Sequence, residues 1–169
     1  MNILNLFINC LTALSLMIGV IVFFQDGKRR AQEDKRRAAE DERRQLEDKR
    51  KAQQATIEAY QQLQNNVLIQ IDAISSGEVE AFLSKSSDPA YKNFRNLLMQ
   101  VDCFCVGINE GIYDFDVFYD LAKNYFNSKK GTLRPPMEKF MDYLCEKYHS
   151  RYYQNIYTTW ERMDNKKAK

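Results

Sequence analysis

Ile3 to Phe24 carries no charge, and the stretch that follows, Gln25 to Gln54, is dominated by charge and alanine. As a helix the first run would measure about 30 Å, the thickness of a hydrocarbon core. The residues before it are uncharged and Val22-Phe23-Phe24-Gln25 is too bulky for a signal-peptidase site, so a cleaved leader does not fit. Lys28, Arg29 and Arg30 follow the run, which by the positive-inside rule predicts an outward N-terminus and an inward remainder. The expectation is a transmembrane anchor over residues 1–26.

Within that run Asn2, Asn5, Asn9, Thr12, Ser15 and Gly19 recur every three or four residues, on or near one stripe of a helix. An amide unpaired in lipid is costly, so the stripe calls for partners, and with one span these come from other copies or another protein. One reading is a homo-oligomeric, packed anchor. The sharper one is a ring of spans lining a polar pore.

From Gln25 the chain repeats in sevens: QDGKRRA, QEDKRRA, AEDERRQ, LEDKRKA. Acids placed before bases, as in Glu33 with Arg36 and Arg37, support an exposed helix over residues 27–56. Its seam, Ala31, Ala38, Ala39, Leu46 and Ala52, is too small for a self-sufficient zipper. It suits a coiled-coil-like contact between helices already held parallel. The basic positions offer a weaker reading as a face for membrane lipid or RNA, and the net charge of +2 argues against nucleic-acid binding as the main role.

Beyond residue 56 the apolar spacing becomes that of core-facing helices, and no strand-like alternation competes with it. The expectation is an all-α fold: an anchor helix continuing into the charged helix, then a bundle of four or five helices over 57–164 and a basic tail at 165–169. Asp88-Pro89 reads as an N-cap and first helical residue, Gly111 as a helix stop, Asp114 or Asp116 as a further cap. Pro135 or Pro136 opens a last long helix reaching Trp160. Cys10, Cys103, Cys105 and Cys145 read as reduced, buried thiols.

Chemistry is sparse. On one continuous helix His149 and Arg151 stand about 200° apart and share no face. One histidine and the pair Cys103/Cys105 do not present metal ligands together. No catalytic residue, metal or cofactor is expected. Tyr143, Tyr148, Tyr152, Tyr153 and Tyr157 crowd one stretch and suit a partly polar protein interface. Tyr148, Tyr152, His149 and Arg151 are therefore candidates for function or assembly. Arg151, Arg162 and the tail add a weak case for RNA contact.

One span, a charged heptad helix and a small tyrosine-rich domain together resemble the membrane accessory proteins of type VI-B CRISPR systems, with a divergent HEPN-like helical domain. The likeness lies in FRNLLMQVDCFCVGINEGIYDFDVFYD and YLCEKYHSRYYQNIYTTW. The resemblance implies a ring-shaped pore in the bacterial inner membrane, with a periplasmic N-terminus and cytoplasmic domain. Such a pore would permeabilise or depolarise the membrane once an RNA-guided, RNA-cleaving effector is activated. The nuclease pattern, an arginine followed four to six residues later by histidine, is not met: His149 lies well beyond Arg134, and Arg151 follows it. The alternatives are a membrane-tethered adaptor that recruits a cytoplasmic protein through its tyrosines, and a membrane-tethered ribonuclease.

Overall fold

The computed structural model describes residues 3–127 and 131–168, and for residues 3–10, 13, 20, 21 and 31 the backbone alone. Helix α1 runs Ile3–Leu63 and passes into a π-helical turn, Gln64–Leu68. There follow α2 (Ile69–Asp72), α3 (Ser76–Leu83), α4 (Pro89–Asn109), α5 (Phe115–Ala122), α6 (Arg134–Tyr148) and α7 (Gln154–Lys167). Every element among the described residues is helical. The chain divides into two compact units, residues 1–48 and 49–169.

No helix, among the described residues, is long and apolar enough to cross a membrane. This overturns the transmembrane anchor. Thr12, Ser15 and Gly19 dilute the apolar side chains between Leu11 and Phe24. Asp26, Lys28, Arg29 and Arg30 follow at once on the same helix. The inner-membrane placement, the N-out topology, the ring-like pore and both membrane-tethered alternatives rested on that span and are withdrawn with it. Asn2, Asn5 and Asn9 lie outside the described residues or side chains, whereas Thr12, Ser15 and Gly19 are exposed.

In residues 1–48, α1 is helical through the charged heptads, as expected. Its ion pairs, however, include Arg29–Glu33 (3.5 Å), Arg36–Glu40 (3.1 Å) and Arg43–Glu47 (3.1 Å), with the base preceding the acid by four. That is the less favourable order along a helix dipole, and all these side chains are largely exposed, so each contributes only a few tenths of a kcal/mol. The three pairs recur every seven residues and form one stripe. Ala38, Ala39 and Leu46 are exposed and Ala52 is half-buried, while the side chain of Ala31 lies outside those described.

Residues 49–169 form a helical bundle around α4, which packs on α7, α5, α3 and the π-helical turn, with α3 also against α6. The amphipathic spacing is why: Phe94, Leu97, Leu98, Val101, Cys105 and Ile108 of α4 are all buried. Phe94, Phe118, Phe126, Phe140 and Trp160 are fully buried, and Phe94 and Phe140 meet at 5.1 Å between ring centres. Asp88 caps α4 with Pro89 at its first turn, and Asp114 rather than Asp116 caps α5. Ser75 and Glu78 close a reciprocal capping box on α3. Gly111 takes a positive φ (+74°) just beyond α4.

Buried polar groups are tied in, apart from Arg134 Nε, which has no hydrogen-bond partner among the described residues. Thr56 accepts from the Asp114 amide (2.7 Å) and donates to Ala52 O. Trp160 Nε1 donates to Phe126 O at 3.2 Å. The Arg134 guanidinium lies 4.5 Å from the Trp160 ring centre, donates to Asn127 Oδ1 (2.6 Å), and is paired with Asp164 (3.5 Å) and Glu138 (3.6 Å).

The bundle holds more helices than the four or five expected, partly because the long last helix is two. It breaks at His149 (φ 51°), and Tyr153 (φ 58°) also takes the left-handed conformation before α7 begins. Neither glycine nor proline marks this corner, and left-handed backbone is costly for such residues. Contacts made by α4 hold it in place.

Candidate functional site

The corner between α6 and α7 is where the expected functional residues gather. Tyr91 and Arg95 stand four apart on α4, as do Tyr143 and Lys147 on α6, so each pair shares a helical face. Lys147 Nζ donates to the Tyr143 hydroxyl at 3.0 Å and sits 5.4 Å from the ring centre of Tyr148. Tyr148 and Tyr152, on either side of the break, meet edge to face at 5.8 Å and 74°. Their rings are 48% and 39% exposed, whereas Tyr91 beneath is buried against Phe140. Tyr91, Arg95, Leu144, Tyr148 and Tyr152 line a cavity of about 220 Å³.

The corner is clamped from α4. Asp102 Oδ1 accepts from the amides of Asn155 (3.1 Å) and Ile156 (3.3 Å), and Oδ2 from Asn155 Nδ2 (3.1 Å). This is an N-cap supplied by another helix, in place of the missing local one at Tyr153. Asn109 Nδ2 donates to Asn155 O (3.1 Å), and the Tyr153 hydroxyl donates to Arg95 O (3.4 Å).

Electrostatically the cavity is positive and rich in donors. Burial raises the Tyr91 phenol above its ordinary value, with Tyr148 adding to the rise and Lys147 and Arg95 opposing it. Lys147 is raised by its hydrogen bond to Tyr143. Burial also raises Tyr153, against the opposing pull of Arg95.

The four candidates of the α6–α7 stretch separate. Tyr148 and Tyr152 come together in this cavity. Arg151 lines a different one of about 250 Å³ with Asp142, Cys145, Tyr157 and Glu161. There the Tyr157 hydroxyl donates to Asp142 at 2.8 Å, and burial followed by that carboxylate lifts the phenol far above its usual range. His149 is exposed at the left-handed end of α6 and lines neither cavity. Tyr91, Arg95 and Asp102 went unrecognised in the sequence. The four-residue spacing of Tyr91 and Arg95 was available as a signal, but nothing local ties α4 to the α6–α7 corner.

A third cavity, about 340 Å³, runs beside the π-helical turn between Gln62, Asn66, Gln100 and Cys103, over Phe104 and Tyr113. Cys103 is exposed here, Cys145 is half-buried and Cys105 is buried, so only the last has the full burial expected; Cys10 lies outside the described side chains. Among the described residues no group of three histidine, cysteine, aspartate or glutamate side chains could hold a metal ion.

Compared with known proteins, residues 9–163 match a family described as a domain of unknown function (DUF4760). No curated protein and no solved structure matches the chain significantly. The resemblance to the type VI-B CRISPR accessory proteins is thereby corrected. The family that matches is DUF4760, nothing found links the chain to a HEPN-like domain or to CRISPR, and among the described residues no helix is long and apolar enough to be the membrane span on which the likeness leaned.

Proposed function

This chain belongs to the DUF4760 family, and we propose that it is a non-catalytic protein-interaction module whose contact surface is the tyrosine corner of α4, α6 and α7. The observation that carries this reading is the half-exposed pair Tyr148 and Tyr152, held edge to face above Arg95. Tyrosine and arginine concentrate binding energy at protein interfaces: a tyrosine ring buries a large area at low entropy cost, and an arginine presents a planar fork of donors. The Asp102 clamp sets the corner before a partner arrives, which lowers the ordering cost of association. RNA is a poorer fit, because the cations at the corner are few and acidic Asp142 and Glu146 lie on the same helix.

Photo-crosslinking tests the reading. A benzophenone amino acid is placed at Tyr148, at Tyr152 or, as a control, at exposed Lys85 in the full chain. The expected result is one and the same protein crosslinked from both tyrosine positions and not from Lys85. That protein, once purified, should bind the unmodified chain and lose affinity for Tyr152→Ala. Different products from the two positions, or the same product from Lys85, would reject the corner as the interface.

A further inference from the structure

Resting on that reading, we propose that the partner engages this corner through an acidic segment, one of whose side-chain carboxylates enters the cavity between Tyr148 and Tyr152 and is held by Arg95, with Lys147 beside the Tyr148 ring adding positive charge at its edge. Cations that meet phenols but no carboxylate among the described residues carry the argument: Arg95 beside the Tyr153 hydroxyl and Lys147 on Tyr143.

Elsewhere in residues 49–169 several cations already have carboxylate partners: Arg134 with Asp164 and Glu138, Lys139 with Glu80 (2.8 Å), Lys166 with Asp116 (2.7 Å), Lys123 with Asp120 (3.2 Å). Arg95 and Lys147 have none among the described residues. The Lys147 ammonium reaches only the Tyr143 hydroxyl, a neutral acceptor. The hydroxyls of Tyr148 and Tyr152 likewise meet no acceptor among the described residues. The cavity thus offers guanidinium and phenol donors, with the Lys147 ammonium beside Tyr148, and the group that satisfies them together is an acceptor-only anion. A planar carboxylate matches the guanidinium fork, and flanking rings shield the contact from water, which strengthens it. Asp102, the acid on α4 that could have filled this role from inside the fold, is engaged in capping α7.

One guanidinium in a cavity of about 220 Å³, with one ammonium near it, suits one carboxylate side chain rather than the extended backbone of a nucleic acid. A short peptide can place a single acid and turn away.

The full-length chain is titrated against fluorescein-labelled hexaglutamate at low ionic strength, followed by anisotropy. Hexaglutamine and hexauridine carrying the same label serve as comparisons, with inorganic phosphate as a competitor. Hexaglutamate should bind and hexaglutamine should not. Arg95→Gln and Lys147→Gln should each weaken binding by about tenfold, as expected for loss of a charge-assisted contact. Tyr148→Phe, which keeps the ring and removes the donor, should weaken it less. Lys85→Gln should leave it unchanged, and circular dichroism should show all variants folded. Absence of hexaglutamate binding, binding insensitive to Arg95→Gln, tighter binding of hexauridine, or equal displacement by phosphate at the same charge concentration would overturn the proposal. If hexaglutamate fails while Tyr148 and Tyr152 still crosslink one protein, the acidic segment alone is refuted. If both fail, the interaction module falls as well.

Discussion

Asp102 grips Asn155 with both carboxylate oxygens, one on the backbone amide and one on the side-chain amide, each at 3.1 Å. The two residues lie on different helices, yet together they supply the cap that α7 lacks locally. With the Asn109–Asn155 and Tyr153–Arg95 hydrogen bonds, this contact fixes the start of α7 just after Tyr153, whose left-handed backbone is costly for a residue other than glycine.

Asp102→Ala should therefore cost about 1–2 kcal/mol, the scale of a lost N-cap with amides left unpaired. Asp102→Asn, which keeps one acceptor, should cost less. Urea denaturation measures both, with the midpoint falling and the slope unchanged. Crosslinking from Tyr152 should weaken in parallel.

Gly107 makes room for Tyr113. A Cβ at residue 107 would lie 2.5 Å from the Tyr113 ring, which stacks on Phe104 at 5.2 Å and 21°. Gly107→Ala should destabilise by about 1–3 kcal/mol, the cost of overpacking. In Tyr113→Ala the same change should cost much less, and a double-mutant cycle by thermal denaturation would show that coupling.

Cys103 and Cys105 are two residues apart but face opposite environments. Burial pushes the Cys105 thiol up to about 12, while Cys103 is exposed beside the π-helical turn. With iodoacetamide at pH 8, Cys103 should be alkylated in the native chain and Cys105 only after unfolding, as read by peptide mass spectrometry.

Two carboxylates make stability sensitive to acid. Glu78 is lowered from 4.5, first by the Ser75 backbone amide and then by the Ser75 hydroxyl; Asp116 is lowered from 3.8 by Lys166. A carboxyl depressed in the folded state stabilises fully above its unfolded value and loses that contribution as the pH falls through the folded one. Stability should thus begin to drop near pH 4.5 and continue to fall below 3.8. The double variant Glu78→Gln/Asp116→Asn should show a shallower drop in denaturation midpoints between pH 6 and about pH 3.

Local rules in the sequence reached far into the bundle. Asp88-Pro89, Asp114 and Gly111 are legible because a cap or a left-handed stop acts over three or four residues, and the core positions of α4 follow from helical spacing alone. The apolar N-terminal run misled because length alone does not establish a span: Thr12, Ser15 and Gly19 dilute the described run and the charges from Asp26 onward close it, and no described helix is long and apolar enough to cross a membrane. The ion-pair order on the charged helix was open for a related reason. Each Glu has bases both before and after it, and rotamers choose between them.

By itself the sequence determined that this protein is helical, where most of its helices begin, and which side chains form its core, since propensity, caps and 3.6-residue spacing act between near neighbours. Only the tertiary structure decided that α6 and α7 are separate and that Tyr91 and Arg95 share a cavity with Tyr148 and Tyr152. A carboxylate 53 residues from the amide it caps decides that break, and a contact of such range leaves no periodic trace along the chain.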